Sequence, residues 1–194
     1  MSFFRFSTMS ANIEIKAKVP DQARLVNNCD SLNNCQYIED LHQHDIFYNV
    51  SSAKPSLRLK LRKVKNHNRF MLISYDRPDT DGDKLSSYTI TRFPDEKTAD
   101  DLDITLKHSL GAKNEVKKVR KLYMYKDETS GINTRIHIDN VEGLGQFMEL
   151  EIQVDSTEDK IVKRAEEIST FLRTKLEICD DNLISGAYAD HLKK

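Results

Sequence analysis

Asp139-Asn-Val-Glu-Gly-Leu-Gly-Gln-Phe-Met-Glu149-Leu-Glu151 reads as two extended runs joined by a Gly-Leu-Gly turn. Strand side chains alternate between faces, so Phe147, Glu149 and Glu151 point one way and Met148, Leu150 and Ile152 the other. On the preceding run Asp139 shares its face with His137 and Arg135, opposite Ile136 and Ile138. The hairpin therefore predicts Asp139, Glu149 and Glu151 on one polar surface backed by an apolar one. Gathered carboxylate oxygens suit a hard divalent cation, Mg²⁺ or Mn²⁺. Alone, Glu149 and Glu151 also fit the wet face of an edge strand.

Working outward, the same alternation returns. Ser56–Val64 sets Leu57, Leu59 and Leu61 against Arg58, Lys60 and Arg62. Asn12–Val19 sets Ile13, Ile15, Ala17 and Val19 against Asn12, Glu14, Lys16 and Lys18. Lys118 and Arg120 form a further basic pair two residues apart. Cations two apart on a strand lie only ~7 Å from each other and repel unless an anion or water meets them. Each row alone also fits a solvated face. Together they describe a sheet with one apolar face and one face shared by acidic and basic strands. Such a division serves a metal–polyphosphate site, where cations hold phosphate oxygens and carboxylates hold the bridging metal.

Ile13-Glu14-Ile15-Lys16 resembles the second half of the Glu-x-Glu-x-Lys signature of the CYTH family, the triphosphate tunnel metalloenzymes. The resemblance continues in order through Asp45-Ile-Phe-Tyr48, Leu57-Arg58-Leu59-Lys60, Lys118-Val119-Arg120, the Asp139–Glu151 hairpin and Ala187-Tyr188-Ala189-Asp190-His191-Leu192. The family includes thiamine triphosphatases, inorganic triphosphatases and class IV adenylate cyclases. The resemblance implies an α+β fold: a closed antiparallel eight-stranded β-barrel with a charged tunnel, flanked by helices. It also implies a triphosphate substrate with Mg²⁺ or Mn²⁺. Phosphate binding then falls to Lys16, Arg58, Lys60, Arg62, Lys118 and Arg120, metal binding to Glu14, Asp139, Glu149 and Glu151, and a catalytic part to Lys16. The expected activity is hydrolysis of an inorganic or organic triphosphate. A class IV-type cyclase making cyclic AMP from ATP, and a nucleotide or polyphosphate binder without turnover, are the alternatives.

The chain departs from the family pattern in several places. Asn12 replaces the first Glu of the signature, which removes one metal-side carboxylate and endangers a second metal. Ser74-Tyr75-Asp76-Arg77-Pro78 stands where relatives carry Lys before Gly-Pro, and strand alternation argues against Arg77 reaching inward in its stead. Ser87–Thr91 carries threonines where acidic residues are common, and Lys60 stands for an Arg.

Composition narrows the class. The 194 residues suffice for one domain, expected as a 12–194 unit after an N-terminal extension over 1–11. With 30 basic and 31 acidic residues the chain lacks a nucleic-acid footprint. No apolar run approaches the ~20 residues that cross a membrane. Cys29, Cys35 and Cys179 form neither a Cys-x-x-Cys pair nor a disulfide framework, so a reducing, cytoplasmic setting is expected. His42 and His44 lack a further soft ligand, and Asp79-Thr-Asp81-Gly-Asp83 places its Gly too early for an EF-hand. The expected partner is a triphosphate-containing small molecule, bound by a monomer or homodimer.

Strands are expected near 12–19, 45–50, 56–64, 69–75, 86–93, 115–125, 133–139 and 146–154. Pro20-Asp21 opens a short helix. Lys97–Leu110 carries Leu102, Leu106 and Leu110 at helical spacing before Gly111. Ser156-Thr-Glu-Asp starts a long helix with Ile161, Ala165, Ile168, Leu172 and Leu176 along one stripe. These stripes predict an outer apolar wall covered by helices.

Overall fold

In the computed structural model, residues 10–50, 54–78, 80, 82–154 and 158–192 are described. The strands are β1 (Ser10–Lys18), β2 (Cys35–Tyr48), β3 (Leu57–Val64), β4 (Arg69–Asp76), β5 (Lys84–Phe93), β6 (Ala112–Lys126), β7 (Asn133–Val141) and β8 (Gly145–Val154). The helices are α1 (Gln22–Ser31), α2 (Glu96–Leu110), α3 (Asp159–Lys175) and α4 (Tyr188–His191). All strand pairs are antiparallel and run in a ring, β1-β5-β4-β3-β2-β6-β7-β8, with β8 returning to β1. Among the described residues no helix is long and apolar enough to cross a membrane.

The period-two rows become two walls. Outside β1, β7 and β8, Ile13, Ile15, Ile136, Ile138, Met148, Leu150 and Ile152 pack under Ala165, Ile168, Leu172 and Leu176 of α3 and Leu25 and Cys29 of α1. Outside β2, β3 and β4, Ile46, Tyr48, Leu61 and Phe70 pack under Ala99, Leu102 and Leu106 of α2. Polar contacts pin α2 to the ring: Tyr48 donates to Asp103 at 2.8 Å, Lys63 pairs with Asp100, and Lys107 meets Glu115 at 3.7 Å. Gly111, at φ 73°, ends α2 in a conformation that L side chains resist.

Several elements differ from expectation. β2 begins at Cys35, well before residue 45, and pairs along β6 from Cys35↔Tyr125 to Tyr48↔Ala112. A register shift between Tyr37 and Glu39 breaks its alternation, and exposed His42 hides its strand character. Asp21 is the N-cap of α1, accepting from the Arg24 amide, so Pro20 lies just outside the helix. Leu110 stays 36% exposed at the end of α2. The start expected at Ser156 lies outside the described residues, as do Asp79 and Asp81 of the excluded calcium loop; Glu158 stands at the N-cap position of α3 without a side-chain capping bond.

The interior is not charged throughout. At one end Phe47, Val116, Val141 and Phe147 meet Ala187, Tyr188 and Ala189 in an apolar cluster. The segment 183–192 enters there: Leu183 bridges to Ala17, and the Ile184 amide donates to the Lys16 carbonyl at 3.0 Å.

Candidate active site

Ring closure brings the charged rows onto one cavity of about 300 Å³, lined by residues of all eight strands and by Ala187 and Tyr188. The hairpin that joins β7 and β8 sets the register: Asp139 lies across from Phe147, His137 from Glu149 and Arg135 from Glu151. Across the next seam Glu149 faces Lys16 and Glu151 faces Glu14. Gly143 and Gly145, with φ of 76° and 99°, make the reversal that fixes this register.

The four carboxylates expected to hold a metal separate into different environments. Asp139, fully buried, accepts a forked pair from Arg120 at 2.6 Å each, a third bond from Lys118 at 3.1 Å and a fourth from the Tyr188 hydroxyl at 3.0 Å. Burial works against its charge, but Arg120 and Lys118 outweigh that and hold its carboxyl well below the usual range. Glu14 pairs with Arg77 at 2.8 Å. Its burial and the neighbouring Glu151 charge push its carboxyl up despite Arg77.

Glu149 and Glu151 are joined instead by His137; one ligand atom from each of the three lies within 4.8 Å of the others. Among the described residues this is the group able to hold a metal ion, and neither Asp139 nor Glu14 belongs to it. Glu149 also meets Lys16 at 3.0 Å and Arg120, and Glu151 meets Arg135 at 2.9 Å. Against burial, His137, Arg135 and Arg120 hold Glu151 down to about 2. Burial and Arg120 lower His137, and neutral imidazole is the form that ligates. The His137 Nδ1 has no hydrogen-bond partner, lying 3.7 and 3.6 Å from Glu149 and Glu151. An orphaned ring nitrogen between two carboxylates fits a divalent cation.

The basic residues are likewise sorted. Lys16, Lys60, Arg62, Lys118 and Arg120 all line the cavity. Arg58 does not; its guanidinium turns to the Pro55 carbonyl at 2.6 Å and to Asp190 at 3.4 Å. Asp45, within the quoted Asp45–Tyr48 run but given no role there, holds Arg62 in a fork at 2.6 Å and Lys60 at 3.2 Å. Burial lowers Lys60 to about 7, helped by the adjacent Arg62 charge; burial and Arg120 likewise lower Lys118 to about 8. Each of these ammonium groups shares its carboxylate with a guanidinium, Lys60 sharing Asp45 with Arg62 and Lys118 sharing Asp139 with Arg120.

Strand alternation finds further cavity residues. Arg77 continues the inward row of Met71, Ile73 and Tyr75 beyond the end of β4; it is 6% exposed and reaches Glu14 and the Gly186 carbonyl. It therefore points inward, against the expectation. Arg135 belongs to the row already read for His137 and Asp139. On β5 the inward residues are Ser86, Tyr88, Ile90 and Arg92, while Thr89 and Thr91 alternate outward. Asn12 does lie inside, 2% exposed, so the place of a first carboxylate is filled by a neutral amide. His42 and His44 face away from the cavity, and His44 meets Glu115 at 2.8 Å. Tyr188 had no signal beyond its place in the C-terminal motif; its ring lies under the Lys16 and Lys118 ammonium groups at 4.2 and 4.8 Å.

Known proteins share this frame. A Methanocaldococcus jannaschii protein named "Putative adenylate cyclase" is 25% identical over 189 residues, covering 92% of this chain and 96% of its own. The structure of a Pyrococcus horikoshii protein superposes with TM-score 0.74 at 17% identity, covering 94% of this chain and 99% of its own. A Hippeastrum protein, described as a "putative adenylyl cyclase" with a dominant triphosphatase activity, superposes with TM-score 0.62 at 12% identity, covering 92% and 91% of the two chains. The model of the CYTH domain matches residues 10–188, nearly the whole ring and its C-terminal segment, and the chain belongs to that family.

Proposed function

We propose that this protein is a metal-dependent triphosphatase whose substrate threads its phosphates along the cations inside the ring. The observation that carries the reading is the imbalance of charge beside an orphaned His137. Lys16, Lys60, Arg62, Lys118, Arg120, Arg77 and Arg135 outnumber the carboxylates set among them, Glu14, Asp45, Asp139, Glu149 and Glu151. A polyanion restores the balance and relieves Lys60 and Lys118. His137, Glu149 and Glu151 would hold the metal, with imidazole favouring Mn²⁺ over Mg²⁺, and the bound ion would supply Lewis-acid polarisation of a phosphoryl oxygen.

The chain's own residues do the rest. Arg62 and Arg120 present planar forks that match phosphate oxygens. Lys16 carries the proposed catalytic part: it stands on Glu149, next to the metal-binding group, where charge on the transferring phosphoryl is greatest. Asp45 and Asp139 keep the guanidinium groups in place, so little reorganisation is needed on binding. Phosphoryl transfer to water then needs positioning and charge stabilisation, without a protein nucleophile.

The similarity to the M. jannaschii protein supports a second reading, cyclisation of ATP. In that reaction the ribose 3′-hydroxyl attacks the α-phosphorus and pyrophosphate leaves. Incubation with Mn²⁺ or Mg²⁺ and tripolyphosphate, thiamine triphosphate or ATP separates the readings. Released phosphate is expected; cyclic AMP with pyrophosphate establishes the cyclase, and binding without product leaves a non-catalytic carrier.

A further inference from the structure

On the outer wall Cys29 and Cys35 come together. Cys29 lies near the end of α1, fully buried, and Cys35 opens β2, half-buried. The chain folds back between them through two tight turns. The Leu32 amide donates to the Cys29 carbonyl and the Cys35 amide to the Leu32 carbonyl, each at 3.2 Å. Asn34, at φ 59°, completes the reversal. Both arms are held on β6: the Tyr123 hydroxyl donates to Asp30 at 3.0 Å, the Lys126 amide donates to the Asn34 carbonyl at 3.0 Å, and Cys35 pairs with Tyr125.

The two sulfurs meet at this junction. Cys35 packs against the buried cluster that contains Cys29, and the Cys29 thiol donates a hydrogen bond to the Cys35 sulfur. That bond holds the Cys35 thiol below its ordinary value, against burial and the Asp30 charge, and pushes the Cys29 thiol up. The more accessible sulfur is thus the one nearer its thiolate, the form that reacts. The buried sulfur stands directly behind it, where a resolving thiol belongs. Neither cysteine lines the cationic cavity, so phosphate and metal binding do not account for the pair.

We propose that Cys29 and Cys35 are an oxidation site, a dithiol that hydrogen peroxide converts to an intramolecular disulfide and that added thiols reopen. The Cys35 thiolate attacks one peroxide oxygen and the O–O bond breaks. The departing hydroxide takes up a proton, which leaves water and a Cys35 sulfenic acid. The Cys29 sulfur then attacks the Cys35 sulfur and the S–O bond breaks, the Cys29 proton and the hydroxyl leaving as a second water. Two electrons pass from the sulfurs to the peroxide. The bridge ties the end of α1 to the start of β2 and closes off the turn between them. Ser31, Leu32, Asn33 and Asn34 of that turn wall an outer groove of about 600 Å³, shared with Ile168 and Phe171 of α3. Oxidation therefore acts on the outer face of the ring and not on its cavity.

Mass spectrometry of the folded full chain, after brief peroxide treatment, catalase quenching and alkylation in denaturant, tests this. Trypsin leaves both cysteines in one peptide, 25–58, because Lys54 precedes Pro55, and Cys179 falls in another. Peptide 25–58 is expected to lose two hydrogens and take up no alkyl group, and to take up two such groups once dithiothreitol has been added. Cleavage before Asp30 should leave its halves joined until reduction. Cys179→Ser is expected to bridge as the unmodified protein does. Cys35→Ser, a change at the half-buried position, is expected to leave Cys29 as a free thiol. Recovery of Cys29 in alkylated form from the oxidised unmodified protein overturns the proposal, whether Cys35 is intact or has gone on to sulfinic acid. A bridge from either residue to Cys179 or to a second chain overturns it as well.

Discussion

Glu149 touches Lys16, Arg120 and His137, so it serves metal binding and internal charge balance together. Glu151 has one guanidinium partner, Arg135, besides His137. Glu151→Gln is therefore expected to weaken Mn²⁺ binding at least about tenfold with a nearly unchanged melting temperature. Glu149→Gln should weaken it similarly and also cost stability, because it strips charge from partners that remain buried. Mn²⁺ titration with parallel thermal melts checks both; unchanged Mn²⁺ affinity in the two would place the metal elsewhere. The basic wall divides in the same manner. Arg62→Ala should cost ~1.5–3 kcal/mol of triphosphate affinity, as for a hydrogen bond to a charged group, while Arg58→Ala, turned toward Asp190, should cost less. Competition binding of the two variants decides between them. Lys60 gives a pH test. Its folded value, about 7, lies below that of an unfolded lysine, so the unfolded chain binds more protons between them. The empty protein should gain stability as pH rises from about 7 toward 10, and lose that part as pH falls through 7. Triphosphate raises the value again, so binding near pH 8 should take up protons. Calorimetry in buffers of different ionisation enthalpy measures that uptake, and Lys60→Met should diminish it.

At the scale of elements, β3 carries both roles of the wall on alternate residues. Leu61 is fully buried under α2, and Leu59 is half-buried beside it. Leu61→Ala is expected to cost ~2–5 kcal/mol of stability through an outer cavity, Leu59→Ala less, with triphosphate affinity retained in both. Denaturant melts and ligand titrations of the pair check it. A loss of affinity without a loss of stability would mean that the strand's faces are assigned the wrong way round. Alternation made β3 and the β7–β8 hairpin legible in the sequence, because each strand stands between a polar interior and an apolar helical cover. It failed at the start of β2, where the register shift disrupts the period and both faces carry polar side chains. Pairing with β6, a long-range contact, decides that segment.

For the whole molecule, a closed eight-stranded ring and its helical cover could be expected from the rows of Leu, Ile and Val together with the family resemblance, whereas the strand order and the partners of the carboxylates could not. Asp139 and Glu149 share a surface in any hairpin reading, but it takes the β6–β7 register to set Arg120 across from Asp139 and the β7–β8 register to set His137 across from Glu149. Arg77 was hidden because its strand ends one residue before it, although it keeps the inward parity of Tyr75. The proposed burial of a polyanion makes a global prediction. Tripolyphosphate at a hundred times its dissociation constant should stabilise the fold by ~2.7 kcal/mol if it binds only the native ring. Thermal melts across a concentration series measure the shift; its absence would argue against an interior site.

The position of β1 between β5 and β8 has a consequence for biosynthesis. Of the eight strands it leaves the ribosome first and is completed by the one that leaves last. Until Gly145–Val154 emerges, Ile13, Ile15 and Ala17 have neither α3 above them nor a neighbour on one side. The unfinished sheet exposes two strand edges and a greasy wall, the features that recruit chaperones and invite aggregation. Nascent chains stalled before Gly145 should be protease-sensitive throughout. Resistance should appear abruptly once β8 and α3 clear the exit tunnel.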